Sequence, residues 1–396
     1  MNKIFRGVLY VSSILLVGLV FFAAYQNVKE NKSYAVSDET VKVSAENEEE
    51  TVPEKKEVSD ETQQAKSTET TDTLVKEKES TESPVKSETT LVFTGDILIG
   101  NAVSANYDAG GTDGVLSKDM QDILKNADIV MVNEEFPFSE RGVQMEDKQF
   151  TFRMNPRYVS LFKDMGVDIV SLANNHVLDY GAEALSDTFM TLDEAGILYA
   201  GAGESEERAK EPQIIEVNGK KYGFLAASRV LPVASWNVEN TAPGVFSTYD
   251  ATALVEEIKK VRAECDYLTV FVHWGLERKE YPESYQKTLA MQYIDAGADA
   301  VIGSHSHCLQ GVEYINGKPV FYSLGNFLFG QDGNTVALKA VIGEDGSVTY
   351  AFVAAKEQGA RTISCEETEA KSLYDYLTSI SVNAVVRDDG VIESRE

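Results

Sequence analysis

Four short apolar runs limit the possible folds of this chain more than any other feature: "ADIVMVN", "VDIVSLANN", "CDYLTVFVHWG" and "ADAVIGSHSH", between residues 127 and 307. Each is continuous rather than alternating and is bounded by polar turns. A strand that is apolar on both faces has to be covered on both faces, as buried parallel strands are. Helical patterns lie between them: "LSKDMQDILKNA", "PRYVSLFKDMG", "ALSDTFMTLDEAG", "ATALVEEIKKVRAE" and "ESYQKTLAMQYIDAG". Several end in a glycine just before the next strand, a helix stop. The alternation predicts α/β layering. An earlier strand is expected in "TTLVFTGDILIG", with a turn at Gly95. "IIEVNGKKYGFLAA" and "GVEYINGKPVFYSLG" place Asn-Gly between strand-like flanks, and "ALKAVIGEDGSVTYAFVAA" uses Asp-Gly in the same way. These are hairpin signals. Parallel strands and hairpins together predict a mixed sheet or two stacked sheets.

The ends of the chain have a different character. In "MNKIFRGVLYVSSILLVGLVFFAAYQ", Lys3 and Arg6 precede an apolar run from Gly7 to Ala24. About eighteen residues at ~1.5 Å rise come close to spanning ~30 Å of hydrocarbon. The flanking positive charge predicts an N-terminal transmembrane helix over 1–25, cytoplasmic at its start and extracellular beyond. A cleaved signal peptide is the rival reading. Residues 26–88 are rich in Glu, Ser, Thr and Lys and poor in aromatic residues. Such a segment buries too little apolar surface to offset its ordering entropy, so a disordered acidic linker is expected. A folded domain is expected over 89–357. A C-terminal helix, "EETEAKSLYDYLTSI", and a polar tail are expected over 358–396.

With 36 basic and 64 acidic residues the net charge is −28, which argues against nucleic acid as a partner. Cys265, Cys308 and Cys365 are widely spaced, with no C-x-x-C. A disulfide framework is therefore not expected, and the three read as apolar packing residues.

The chemistry gathers where the strands end. Asp96 follows one apolar run; Glu134 and Glu135 follow another. Asn174, Asn175 and His176, then His273, then His305 and His307 follow three more, and these are all four histidines of the chain. In open α/β sheets the crevice at the carboxyl ends of the strands is where sites form. Imidazole with carboxylate suits a first-row transition metal. On an extended segment His305 and His307 would share a face, because strands have period two. Two ions a few ångströms apart can activate water and clamp an in-line phosphoryl displacement. G-x-S-x-G is absent, and so is G-x-x-x-x-G-K-[ST], which excludes a nucleophile elbow and a P-loop. Cys308 is either a thiolate ligand or a buried apolar residue, the latter favoured because it alternates away from the histidines. Arg153 and Arg229 are candidates for holding an anionic ligand, since the guanidinium fork pairs with carboxylate or phosphate.

The order GD, N-x-E, NNH, HWG-x-E, GSHSH and YSLGNFLF, from about Thr89 to Gly330, resembles the bacterial capsule synthesis family, CapA or PgsA, linked to poly-γ-glutamate. That family is similar in turn to the calcineurin-like metallophosphoesterases. The resemblance implies a four-layer αββα sandwich with one or two divalent transition-metal ions (Mn, Fe or Zn) at the strand ends. By the same resemblance Asp96 and His307 would bind a first metal. Asn175, His273 and His305 would bind a second, and Glu135 would bridge the two. His176 would serve catalysis at the leaving group. Glu277 and Asn326 also fall in the family pattern, as crevice-lining residues or supports for a histidine. The phosphoesterase motif D-x-H reads Asp96-Ile97-Leu98 here, so one histidine is missing, and the bridging aspartate is a glutamate. The implied role is membrane-anchored capsule synthesis or export, alongside other membrane subunits. An anionic polymer or a phosphoester would be the substrate. The alternative is a non-catalytic scaffold that keeps the fold.

Overall fold

The structure is a computed structural model that describes residues 88–395 and the backbone of the two-residue strand Lys76–Glu77. The expected transmembrane helix and nearly all of the expected linker lie outside the described residues. Among the described residues no helix is long and apolar enough to cross a membrane.

The chain builds one sheet, leaves it for a second, and returns. The first sheet starts with four parallel strands, β1 (Glu88–Ile97), β2 (Ile129–Glu134), β3 (Ile169–Ser171) and β4 (Leu198–Ala200). The second holds β5 (Gln213–Val217), β6 (Lys220–Ser228), β7 (Tyr267–His273), β8 (Ala300–Ser304), β9 (Leu309–Ile315) and β10 (Lys318–Leu324). Its order is β5-β6-β7-β8-β10-β9, with Lys76–Glu77 beside β5 and parallel pairing from β6 through β10. The chain then crosses back with β11 (Asn326–Leu328), β12 (Gly333–Gly343), β13 (Val348–Glu357) and β14 (Thr362–Ser364). β12 pairs antiparallel with β1, giving the first sheet the order β14-β13-β12-β1-β2-β3-β4, with β11 beside β1.

Both kinds of expected pairing form. The parallel runs are fully buried. All three hairpins close at the expected turns, β5/β6 at Asn218-Gly219, β9/β10 at Asn316-Gly317 and β12/β13 around Asp345-Gly346. Asn218 and Gly219 have φ of 53° and 73°, and Asn316 and Gly317 have 51° and 75°. Two successive positive φ values suit only a few residue types, which is why Asn-Gly signals the turn so well.

The turn expected at Gly95 does not form. β1 runs through it to Ile97, with a register shift against β2 between Phe93 and Asp96. Gly95 serves close approach instead: a Cβ there would sit 1.8 Å from the carbonyl oxygen of Gly325. That carbonyl accepts the Asp96 N–H at 2.9 Å, joining β1 to the point where the chain passes from β10 to β11.

Aromatic residues fill the space between the sheets. Phe93 of β1 meets Phe224 of β6 at 6.4 Å between centroids, and Phe321 of β10 meets Phe352 of β13 at 5.8 Å. Each such side chain contributes about 1.5–3 kcal/mol on burial. On the second sheet, Leu254, Ile258 and Val261 of helix Thr252–Val261 share a core with Val270, Val272 and Tyr322. On the first, helices Val159–Met165 and Ala182–Ala195 bury Phe162, Leu185 and Phe189. The segment after Gln358 is less polar than expected: Val386 and Ile392 are buried in a two-stranded ribbon, Ala384–Val386 with Ile392–Ser394. The three cysteines are free and only partly buried.

Candidate metal centre

The parallel strands of both sheets end on one side, and the polar residues at those ends converge. Asp96 lies at the end of β1, opposite Asn133 in β2. Glu135 directly follows β2. Asn174, Asn175 and His176 follow β3, and Asn326 opens β11. The second sheet supplies His273, the last residue of β7, and His305 and His307 just after β8.

One ligand atom each from Glu135, His273 and His305 lie within 4.8 Å of one another, and so do one each from Asp96, Glu135 and His307. Glu135 is shared by both groups. Its Oε1 lies 3.7 Å from His273 Nε2 and 3.8 Å from His307 Nε2. The His273 and His305 rings are 4.7 Å apart, and those of His305 and His307 are 5.9 Å apart.

His305 and His307 do not achieve this as strand neighbours. β8 stops at Ser304, and the two histidines have φ of 91° and 52°. The period-two argument therefore gives way to a strained bend. The bend brings the His305 N–H to Asp96 Oδ2 at 3.3 Å. Cys308, after the bend, is half-buried, with its Sγ 3.3 Å from the Lys279 carbonyl.

A shell of partners orients the cluster. Asn133 donates Nδ2–H to Asp96 Oδ1 at 2.8 Å, and Asn174 donates to Asn133 Oδ1 at 3.2 Å and to the Glu134 carbonyl at 2.7 Å. His273 Nδ1 meets Ser304 Oγ at 2.9 Å, and His307 Nδ1 meets Asn326 Oδ1 at 2.8 Å. His176 Nδ1 lies 2.7 Å from Asp179 Oδ2, and Phe152 packs on the His176 ring at 4.5 Å. Lys148 reaches in from a loop to the Asn175 carbonyl and Asp179, and its Nζ lies 3.1 Å from His176 Nδ1.

The electrostatics suit a cation. Both Glu135 carboxylate oxygens and His305 Nδ1 are buried without a hydrogen-bond partner. Burial, then the Asp96 charge, pushes the Glu135 carboxyl well above its ordinary range. Burial and the neighbouring histidine His307 push His305 down to about 3; burial and the other imidazoles also depress His273 well below the usual range. Burial pulls His307 down too, but Glu135 and Asp96 outweigh it and hold it up at about 10. Burial lowers His176 against the pull of Asp179. A buried carboxyl without a hydrogen-bond donor, beside the neutral imidazoles of His273 and His305, is the kind of donor set a divalent transition metal takes. Glu134 is equally buried and unpartnered, and burial likewise raises its carboxyl. It belongs to neither ligand group.

The structure thus assembles Asp96, Glu135, Asn175, His176, His273, His305, His307 and Asn326. Glu277 is exposed, near enough for its charge to act on Glu135 and Lys148. Arg153 turns elsewhere: it donates to the Arg141 carbonyl at 2.8 Å and lies 4.1 Å from the Tyr180 ring. Arg229 donates its backbone N–H to the His273 carbonyl at 2.8 Å. Lys148, Asp179 and Asn133 were not singled out from the sequence. Asp179 had a visible signal, lying three residues after His176; Lys148 had none, because it lies well past the end of β2 in a long loop.

The family described as "Bacterial capsule synthesis protein PGA_cap" matches residues 90–331, and this chain belongs to it. The capsule biosynthesis protein CapA of Bacillus anthracis is 33% identical over 266 residues, 64% of this chain and 64% of that protein. The PGA biosynthesis protein CapA of Bacillus subtilis (strain 168) is 33% identical over 241 residues, 60% of this chain and 63% of that protein. The matched region thus spans just under two thirds of these relatives. A probable polyglutamine synthesis accessory protein of Mycobacterium tuberculosis is 28% identical over 222 residues, 53% of this chain and 58% of that one. A solved structure of a hypothetical protein from Thermus thermophilus has a TM-score of 0.42 at 18% identity, over 67% of this chain and 99% of that one.

Proposed function

We propose that this protein is a membrane-anchored, outward-facing capsule component of the CapA type, acting in poly-γ-glutamate synthesis or export, with a metal-dependent phosphoesterase-like site on a four-layer αββα sandwich. The observation that carries the reading is the pair of ligand groups sharing the unpartnered carboxylate of Glu135. Asp96, Glu135, Asn175, His273, His305 and His307 would hold one or two divalent ions. The chemistry supplied when a metal is bound is Lewis-acid polarisation of a phosphoryl oxygen.

The chain's own residues do the rest. Asp179 accepts from His176 Nδ1–H and so fixes the ring and its tautomer. That leaves Nε2 free to take up a proton and, as an imidazolium paired with Asp179, to give it to a leaving oxygen. Phe152 against the ring keeps water from that side. The other subunits of a capsule machine and the cell membrane are the proposed partners, with an anionic polymer or a phosphoester as substrate.

One observation favours a second reading, a non-catalytic scaffold. Leu98, buried and apolar, stands where the phosphoesterase pattern has a histidine ligand. Hydrolysis of a generic phosphodiester by the full-length, metal-loaded chain separates the two. The catalytic reading expects activity that falls at least about a hundredfold in His176→Ala, within the range of one lost general acid. If His176→Ala and His305→Ala both still support capsule formation in cells, the catalytic reading fails.

A further inference from the structure

Five of the ten described arginines are neutralised by an acidic side chain. Arg141, Arg157, Arg208, Arg262 and Arg387 each pair with an aspartate or glutamate. Arg229 does not. Among the described residues its guanidinium has no carboxylate partner and makes no hydrogen bond, although the chain as a whole carries a net charge of −28. An unpaired cation in so acidic a chain is where an anion can still approach.

Its seat is built. The guanidinium carbon lies 3.8 Å from the Tyr249 ring centroid and 5.2 Å from that of Tyr285, so cation–π contacts hold the planar group while its N–H edge stays unused. Tyr285 is itself fixed: its hydroxyl receives the Gly275 N–H at 2.7 Å and reaches the Gly275 carbonyl at 3.2 Å. Gly275 lies two residues after His273, and the Arg229 N–H bonds to the His273 carbonyl. The arginine therefore rests on the same turn that carries a candidate metal ligand, at the carboxyl ends of β6 and β7. A fork of fixed orientation loses less entropy on pairing than a free one.

We infer that Arg229 is a specificity-determining residue that receives a second oxyanion of the substrate, a carboxylate or phosphate group apart from the one presented to the metal ligands. The inference rests on the strand-end cluster being a substrate site, but not on its catalysing hydrolysis. It names the substrate class as at least doubly anionic.

The test uses the full-length, manganese-loaded protein and two probes, inorganic phosphate and γ-linked triglutamate, with binding followed by calorimetry. Arg229→Met is expected to weaken at least one probe by roughly tenfold to a hundredfold, the size of one hydrogen bond to a charged group. The weakened probe tells phosphate from carboxylate. Arg229→Lys, which keeps the charge and loses the fork, is expected to fall between. Metal content, measured on every variant, is expected to stay that of the parent. The inference is overturned if the parent binds neither probe, or if Arg229→Met binds both as tightly as the parent. It is also overturned if that variant loses metal along with the probes, because Arg229 is then only a brace for the His273 turn. Phosphodiester hydrolysis on the same preparations keeps the two claims apart: no hydrolysis with the Arg229 effect intact removes the catalytic reading and leaves this one standing.

Discussion

Nε2 of His273 lies 2.7 Å from Oδ1 of Asn175, across 98 positions of sequence and between the strand ends of two different sheets. Without metal, this contact is an N–H donating to an amide oxygen. With metal, both atoms are of the kind that ligates. Asn175→Ala removes the acceptor and leaves a buried donor unmade, at a cost of about 1–3 kcal/mol. The expected outcome is a lower melting temperature in chelator together with weaker metal binding. Equal stability and equal affinity in the variant would contradict the shared role.

Protons and metal compete at His307. In the metal-free protein its pKa is held at about 10, above the ordinary value. The interaction with Glu135 and Asp96 therefore stabilises the fold fully below pH ~6.5 and is lost as pH rises through about 10. A ligating imidazole must give up that proton. Metal binding near neutral pH is then expected to release protons, and affinity to rise about tenfold per pH unit until the group titrates. Calorimetric titrations in buffers of different ionisation heat measure the release; none detected at pH 7 would exclude His307 as a ligand.

His305 acts in the opposite direction. Its pKa, pushed down to about 3, lies below the ordinary range, so neutral His305 stabilises the fold above pH ~6.5 and that contribution is lost as pH falls toward about 3. Denaturant midpoints of the metal-free protein should decline over that window. His305→Asn should flatten the decline.

Asn326 fixes the His307 ring through Oδ1 at 2.8 Å. Asn326→Ala is expected to weaken metal binding by about tenfold to a hundredfold, as loss of an orienting partner does, while the other ligands stay in place. Competition against a metallochromic chelator reads this directly.

Much of the architecture was legible in the sequence because its signals are local. Continuous apolar runs mark strands covered on both faces, and Asn-Gly marks a turn that few other pairs can make. The site was legible for a related reason: a polar residue ending a buried strand is costly unless it is used. What stayed hidden depended on distant contacts. Gly95 looked like a turn, yet its role is set by the Gly325 carbonyl, more than two hundred residues away. His305 and His307 looked like strand neighbours, but positive φ values, which no periodicity reveals, aim their rings. Lys148 sits in a loop whose composition carries no sign that it packs beside His176.

The Gly95 contact has its own consequence. With a Cβ placed 1.8 Å from a backbone oxygen, Gly95→Ala forces β1 away from the β10–β11 crossing. A loss on the order of 2–4 kcal/mol is expected, with Asp96 displaced alongside. Thermal unfolding and metal content should fall together in this variant.

The central claim is that Glu135 joins two ligand groups in one metal-binding centre. Metal content of the full-length protein by mass spectrometry, beside Glu135→Gln, tests it most directly. The account predicts one to two equivalents of transition metal in the parent and a marked loss in the variant. A parent that retains no metal after loading, or a Glu135→Gln protein that retains as much as the parent, would contradict it.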